Sequence, residues 1–198
     1  MRRTVLTCLV AIGALFAPQA SAGTRAVIQT LTYDVTGSSG AALVDAMDRK
    51  GPRHGFMTHA IATTAYTVDW DLDAGQGNGF CRIRGVNGTL NLSYTFPHLA
   101  PPATPALKRR WNRFFAGVRA HEETHGRIAR EMMRATEKSI TGLRIANDPS
   151  CYKARREAQL RIRAVYAEYE AKQIAFDRRE HSSGGHVEHL IAALTGKP

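Results

Sequence analysis

The sequence predicts an α+β protein, a small antiparallel β-sheet with a short helix, followed by a long α-helical hairpin. Three observations carry this expectation. Phe56, Thr58, Ala60, Ala62, Thr64, Tyr66, Val68, Trp70 and Leu72 fall on one parity, the two-residue period of a half-buried strand. Phe80 to Phe96 is again rich in β-formers, with Val86, Leu90, Leu92, Tyr94 and Phe96 sharing a parity. From Ala106 to about Glu180 the chain changes character, and its apolar residues recur at helical spacing.

The elements follow in order. Val27, Ile28, Thr30, Leu31, Thr32, Tyr33 and Val35 make a first strand that ends at Gly37-Ser38-Ser39-Gly40. Leu43, Val44 and Met47 then mark a short helix over 41–50, capped by the preceding serines and stopped by Gly51-Pro52. The alternating strand leads to a loop over 73–79, and within the next β segment Asn87-Gly88 makes a tight turn or the segment runs on as one strand. Pro97, Pro101, Pro102 and Pro105 punctuate a linker. The first long helix carries Leu107, Trp111, Phe114, Phe115, Val118, Glu122, His125, Ala129, Met132, Met133 and Thr136 on one stripe and ends near Gly142. A loop through Asn147 to Cys151 leads to the second, striped by Ile162, Val165, Tyr166, Tyr169, Gln173 and Phe176. The tail after it, around Ser182-Ser183-Gly184-Gly185, has a flexible composition and three nearby histidines, His181, His186 and His189.

Met1-Arg2-Arg3, the apolar run from Val5 to Ala17, and Ala20-Ser21-Ala22 read as a secretory signal over residues 1–22. That run is shorter than the ~20 residues needed to cross a bilayer, and no transmembrane segment is expected in the mature form. A lipid anchor at Cys8 is disfavoured because most of the apolar run follows it. Residues 23–198 fit a single domain, and the expected location is periplasmic or secreted. With Cys8 removed, Cys81 and Cys151 are the remaining pair, and an oxidising compartment predicts a disulfide between them. The net charge of +10 raises the question of nucleic acid, but the basic residues are interleaved with acidic ones along both helices. No nucleic-acid partner is expected.

His121-Glu122-Glu123-Thr124-His125 is H-E-x-x-H on a predicted helix. Histidines four apart lie one turn above each other, so both rings can reach one Zn²⁺, and the glutamate after the first lies near the metal's open side. Glu122 is there the expected general base and acid, and His121 and His125 the expected ligands. Glu122 and His125 share a stripe with Trp111, Phe115 and Val118, where polar groups are costly unless paired. Glu123 points to another face and to solvent. His54, His59 and His98 read as ordinary strand or loop histidines, and Tyr166 and Tyr169 as core packing.

Tyr33-Asp34-Val35-Thr36-Gly37, the strand ending Val68-Asp69-Trp70, Cys81-Arg82-Ile83, Trp111 ahead of H-E-x-x-H, and the later Cys151 together resemble a bacterial family described as predicted secreted zinc-dependent proteases of unknown specificity. The resemblance spans nearly the whole mature chain and implies a zinc metallopeptidase. A catalytic zinc takes three protein ligands and a water. The extended H-E-x-x-H-x-x-G-x-x-H pattern is absent, since Ile128 and Glu131 occupy its glycine and histidine positions. A hairpin turning near Asn147 would bring Tyr169 level with His125 and make Glu170 and Glu168 candidates. The resembling family carries an aspartate, a few residues, then a histidine and glycine; Asp177-Arg178-Arg179-Glu180-His181-Ser182 matches this with serine for glycine. His181 is the expected third ligand, with Glu170, His186 and His189 as alternatives.

The leading expectation is a zinc peptidase acting on peptide or protein substrates, cell-wall peptide among them. Two rivals stand beside it: a non-catalytic envelope protein with a structural zinc, and a basic module adhering to anionic peptidoglycan or lipid. Glu122 separates the first two, because a purely structural site needs no carboxylate there.

Overall fold

The computed structural model describes residues 23–54 and 58–196. The signal reading, Cys8 and Phe56 fall outside those residues. In chain order the elements are β1 (Thr24–Val35), α1 (Gly40–Lys50), β2 (Arg53–His54), β3 (Thr58–His59), β4 (Thr63–Gly77), β5 (Phe80–Leu99), α2 (Pro105–Ile140), β6 (Arg144–Ala146), α3 (Tyr152–Glu180) and α4 (His186–Thr195). The architecture is α+β, one sheet packed against helices.

The sheet has the order β1-β5-β4, with β6 added to β5. β4 and β5 form a long antiparallel hairpin. β1, however, runs parallel to β5, from Thr24 opposite Gly88 to Val35 opposite Leu99, so the sheet is mixed rather than antiparallel throughout. Parallel neighbours need a long connection, and α1 with the β2–β3 ribbon and β4 supplies it. The alternation from Phe56 to Leu72 does not form one strand. β3 pairs with β2, Ala60 N–H donates to the Pro52 carbonyl at 2.9 Å, and β4 starts only at Thr63.

The tight turn is Asn78-Gly79, with Gly79 at φ 74°, and β4 continues through the expected loop to reach it. Asn87-Gly88 sits mid-strand instead. A Cβ on Gly88 would meet the Trp70 ring at 2.5 Å, so this glycine serves packing rather than a turn. Cys81 and Ile83 are buried on odd positions, whereas Val86, Leu90, Leu92, Tyr94 and Phe96 are buried on even ones. A bulge accounts for the change of parity: Asp73 opposes Gly85, Ala74 opposes Ile83, and Arg84 is the extra residue, bound to Asp73 at 2.8 Å.

α1 starts where Ser39 accepts from the Ala42 N–H, and α2 where Thr104 accepts from the Leu107 N–H, both side-chain caps. α2 runs 36 residues and presses Leu107, Trp111, Phe114, Val118, Ala129 and Met133 into the main core with Leu90, Leu92, Tyr94 and Phe96. α3 is different, for only Ala154, Ala158 and Phe176 of its 29 residues are buried. Its first turn is held by Asp148, whose carboxylate accepts from the Ala154 N–H at 2.8 Å and the Lys153 N–H at 3.2 Å. Beside it Cys81 and Cys151 form the expected disulfide, inside a second core with Ile83, Ile140 and Leu143. The tail is not loose in structure: α4 packs on α1 and α2, burying Leu194.

Candidate functional site

His121, Glu122 and His125 lie midway along α2, where the apolar stripe gives way to polar residues beneath α3. His121 is 9% exposed and Glu122 6%. The imidazole Nε2 atoms of His121 and His125 stand 3.2 Å apart. Asp177 of α3 brings its Oδ1 to 2.9 Å from His125 Nε2 and 3.4 Å from His121 Nε2. His181, at the end of α3, places its ring 5.4 Å from that of His121, and His121, Asp177 and His181 each offer a donor atom within 4.8 Å of the others.

These separations bear on the fit of a metal. Tetrahedral ligands at ~2.0–2.1 Å from Zn²⁺ stand about 3.3 Å from one another. The His121–His125–Asp177 triangle, with edges of 3.2, 2.9 and 3.4 Å, has the dimensions of one face of such a tetrahedron. Two imidazoles and a carboxylate are also the donor types zinc takes. The residues therefore fit a zinc-like divalent cation.

The ring orientations suit the same role. Gln173 Nε2 donates to the His125 carbonyl at 3.2 Å, which turns its Oε1 toward His125 Nδ1 at 2.6 Å. His125 then carries its proton on Nδ1 and leaves the Nε2 lone pair facing Asp177 and His121. Burial pushes the His121 pKa down to about 4, the neighbouring His125 and His181 act the same way, and Asp177 and Glu180 oppose them. At neutral pH His121 is the uncharged imidazole, the form that ligates. Its Nδ1 is buried without a hydrogen bond, with Glu180 Oε2 at 3.9 Å. Phe176 packs against both rings, at 4.8 Å from His121 and 5.0 Å from His125.

The cluster opens on a cleft of about 840 Å³ whose walls are β4, α2, α3 and α4. Glu122 lines it, and its Oε2 accepts from the Thr64 hydroxyl at 2.7 Å. Ile61, Val118, Leu190 and Ile191 give the cleft an apolar side.

Of the residues singled out by sequence, His121, Glu122, His125 and His181 converge here. Glu170 lines the cleft but does not join the histidines, and His186 and His189 lie on exposed positions of α4 outside it. The hairpin register explains this. Gln173, not Tyr169, is level with His125, because β6 and the disulfide loop start α3 further along; Arg161 accordingly reaches the Ser139 carbonyl at 2.9 Å. His59 also lines the cleft, its Nδ1 2.8 Å from the Asp48 carbonyl oxygen, whereas His98 sits with Asp34 in the open. Tyr166 accepts from Trp70 Nε1 at 2.7 Å, and Tyr169 lies beneath Lys172. Neither tyrosine lines the cleft.

Asp177, Gln173 and Thr64 appear in the sequence only as a motif position, a helix-stripe residue and a strand residue, and none of them is expected at the site. A signal existed for Asp177: it stands four residues before His181, the same one-turn spacing as His121 and His125, so that a D-x-x-x-H face on α3 meets the H-E-x-x-H face of α2.

Fold and site together define an α+β protein with a histidine–carboxylate cluster assembled between two long helices. Residues 30–186 match a family described as bacterial protein of unknown function (DUF922), and the chain belongs to that family. No curated protein and no solved structure matches it.

Proposed function

We propose that the protein is a zinc-dependent hydrolase of peptide bonds, exported to the periplasm or beyond, with His121, His125 and Asp177 as the three protein ligands and His181 beside them. The carrying observation is the triangle of two Nε2 atoms and one carboxylate oxygen at tetrahedral spacing, opening on a cleft that Glu122 also lines. Zinc bound there supplies a Lewis acid, which acidifies a water and polarises a carbonyl. The chain's own groups divide the remaining work. Thr64 fixes the Glu122 carboxylate through its hydroxyl, and a carboxylate so oriented takes a proton from water and returns it to the leaving nitrogen. Gln173 holds the His125 tautomer. The apolar side of the cleft accepts substrate side chains and limits water. Export is supported by the Cys81–Cys151 disulfide, which forms in oxidising compartments, and no helix among the described residues is long and apolar enough to cross a membrane.

One observation favours a second reading. Because α3 buries so few residues, a cation between α2 and α3 would pin the helix in place even without chemistry. Glu122→Gln separates the two. For the hydrolase, the variant keeps its zinc and its melting temperature, while chelator-sensitive cleavage of a broad peptide library falls by at least ~10²-fold. Zinc retained by both proteins with no chelator-sensitive cleavage by either favours the structural role, and undiminished cleavage by the variant overturns Glu122 as the base.

A further inference from the structure

A second concavity lies on another face of α2 from the histidines. It has a volume of about 570 Å³ and runs between β1 and α2. Ile28, Phe96 and Phe115 line its apolar part, and Arg119, Arg127 and Arg130 stand along its helical wall. Arg119 is matched by Glu123 at 2.8 Å. Among the described residues, neither Arg127 nor Arg130 has a carboxylate partner, so the groove holds uncompensated positive charge.

The opposite wall, β1, ends the sheet. One edge of this twelve-residue strand pairs with β5, and among the described residues nothing pairs with the other. Such an edge presents a row of unpaired N–H and C=O groups. Proteins usually shield it with charges, proline or a covering element, yet the centre of β1 is apolar and open: Val27, Ile28 and Leu31 are 53%, 52% and 45% exposed. Its charged residues, Arg25 and Asp34, stand near its two ends. By strand alternation Ile28 faces the groove while Val27 and Leu31 face the other side, so an added strand would cover both sets.

We propose that the β1 edge and this groove form a docking site for an extended acidic polypeptide segment, which joins the sheet as a further strand and sets its carboxylates against Arg127 and Arg130. Backbone pairing supplies affinity, and the arginines select the charge. A second copy of this chain is the poorer occupant, since it carries a net charge of +10 and its β1 offers a single carboxylate.

The test is fluorescence anisotropy with the oxidised full chain, its leader removed. The probe is a fluorescein-labelled decapeptide in which glutamate alternates with valine and threonine; the control has lysine for glutamate. The acidic probe should bind, weaken as salt rises, and outbind the lysine probe by at least about tenfold. Arg127→Glu with Arg130→Glu, and separately Ile28→Glu, should each lower its affinity at least about tenfold with melting temperature unchanged. Both sets of positions lie outside the main core, and either variant alone suffices if the other fails to fold. Three results overturn the proposal: no binding of the acidic probe, equal binding of both probes, or affinity indifferent to the folded variants. A concentration-dependent dimer in gel filtration that Ile28→Glu disperses would also overturn it, by assigning the edge to a second copy.

Discussion

Replacing both Cys81 and Cys151 with alanine tests how α3 is held. The bridge spans a sequence separation of 70 residues, and closing a loop of that length in the unfolded chain corresponds to about 4 kcal/mol at 25 °C on the chain-entropy account. Beyond the Asp148 hydrogen bonds to the first turn, little else compensates at this end of the helix, where the buried α3 side chains are Ala154 and Ala158. Alanine avoids leaving serine hydroxyls among Ile83, Ile140 and Leu143. Guanidinium unfolding followed by far-UV circular dichroism should show a loss of about 4 kcal/mol, a large share of the ~5–15 kcal/mol of an ordinary domain. The slope with denaturant should rise, because the uncrosslinked unfolded chain exposes more surface. Zinc affinity should fall in parallel, since Gln173, Asp177 and His181 all ride on α3. A double variant that loses less than about 1 kcal/mol with an unchanged slope would refute the reasoning and assign the anchoring to the packing around Phe176.

Further outcomes follow from the site. Asp177→Ala should lower bound zinc as severely as His125→Ala, measured by elemental analysis after dialysis; full zinc in that variant, with zinc lost in His181→Ala, would move the third ligand to His181. Gln173→Ala should reduce zinc affinity about 10–100-fold in competition with a chromophoric chelator, at unchanged secondary structure. Gly126→Ala should destabilise by about 1–3 kcal/mol, because its new Cβ would meet the Tyr94 hydroxyl at 1.9 Å. Tyr94→Phe in that background should restore part of the loss, and purely additive effects in chemical denaturation would refute the contact.

Much of this was legible in the sequence, and for local reasons. α1 announced itself through its serine cap and periodicity and α2 through periodicity alone, and Cys81 and Cys151 were a forced pair once Cys8 was assigned to the leader. What stayed hidden depends on long-range pairing. Two Asn-Gly dipeptides compete for one turn, and only Trp70 packing against Gly88 shows why the later one stays extended. The direction of β1 is invisible to alternation, which reads the same in parallel and antiparallel pairs. α4, with Val187, Leu190, Ile191 and Leu194 at helical spacing, was obscured by the glycines and serines before it. The cluster was partly legible: His121, Glu122 and His125 form a motif and His181 came with the resemblance, whereas the place of Asp177 depends on the hairpin register, which sequence set four residues off, at Tyr169 instead of Gln173.

Gly126 follows His125 directly, and the Tyr94 hydroxyl occupies the space its side chain would need. The gap between helix and sheet at this level is therefore gauged by an aromatic tip resting on bare backbone. His121 and His125 take their height from that seat, whereas Asp177 and His181 take theirs from a helix bolted at its far end. In the zinc centre proposed above, metal–donor lengths would tolerate only about 0.2 Å, so the two mountings would have to agree more closely than the width of a single methyl group.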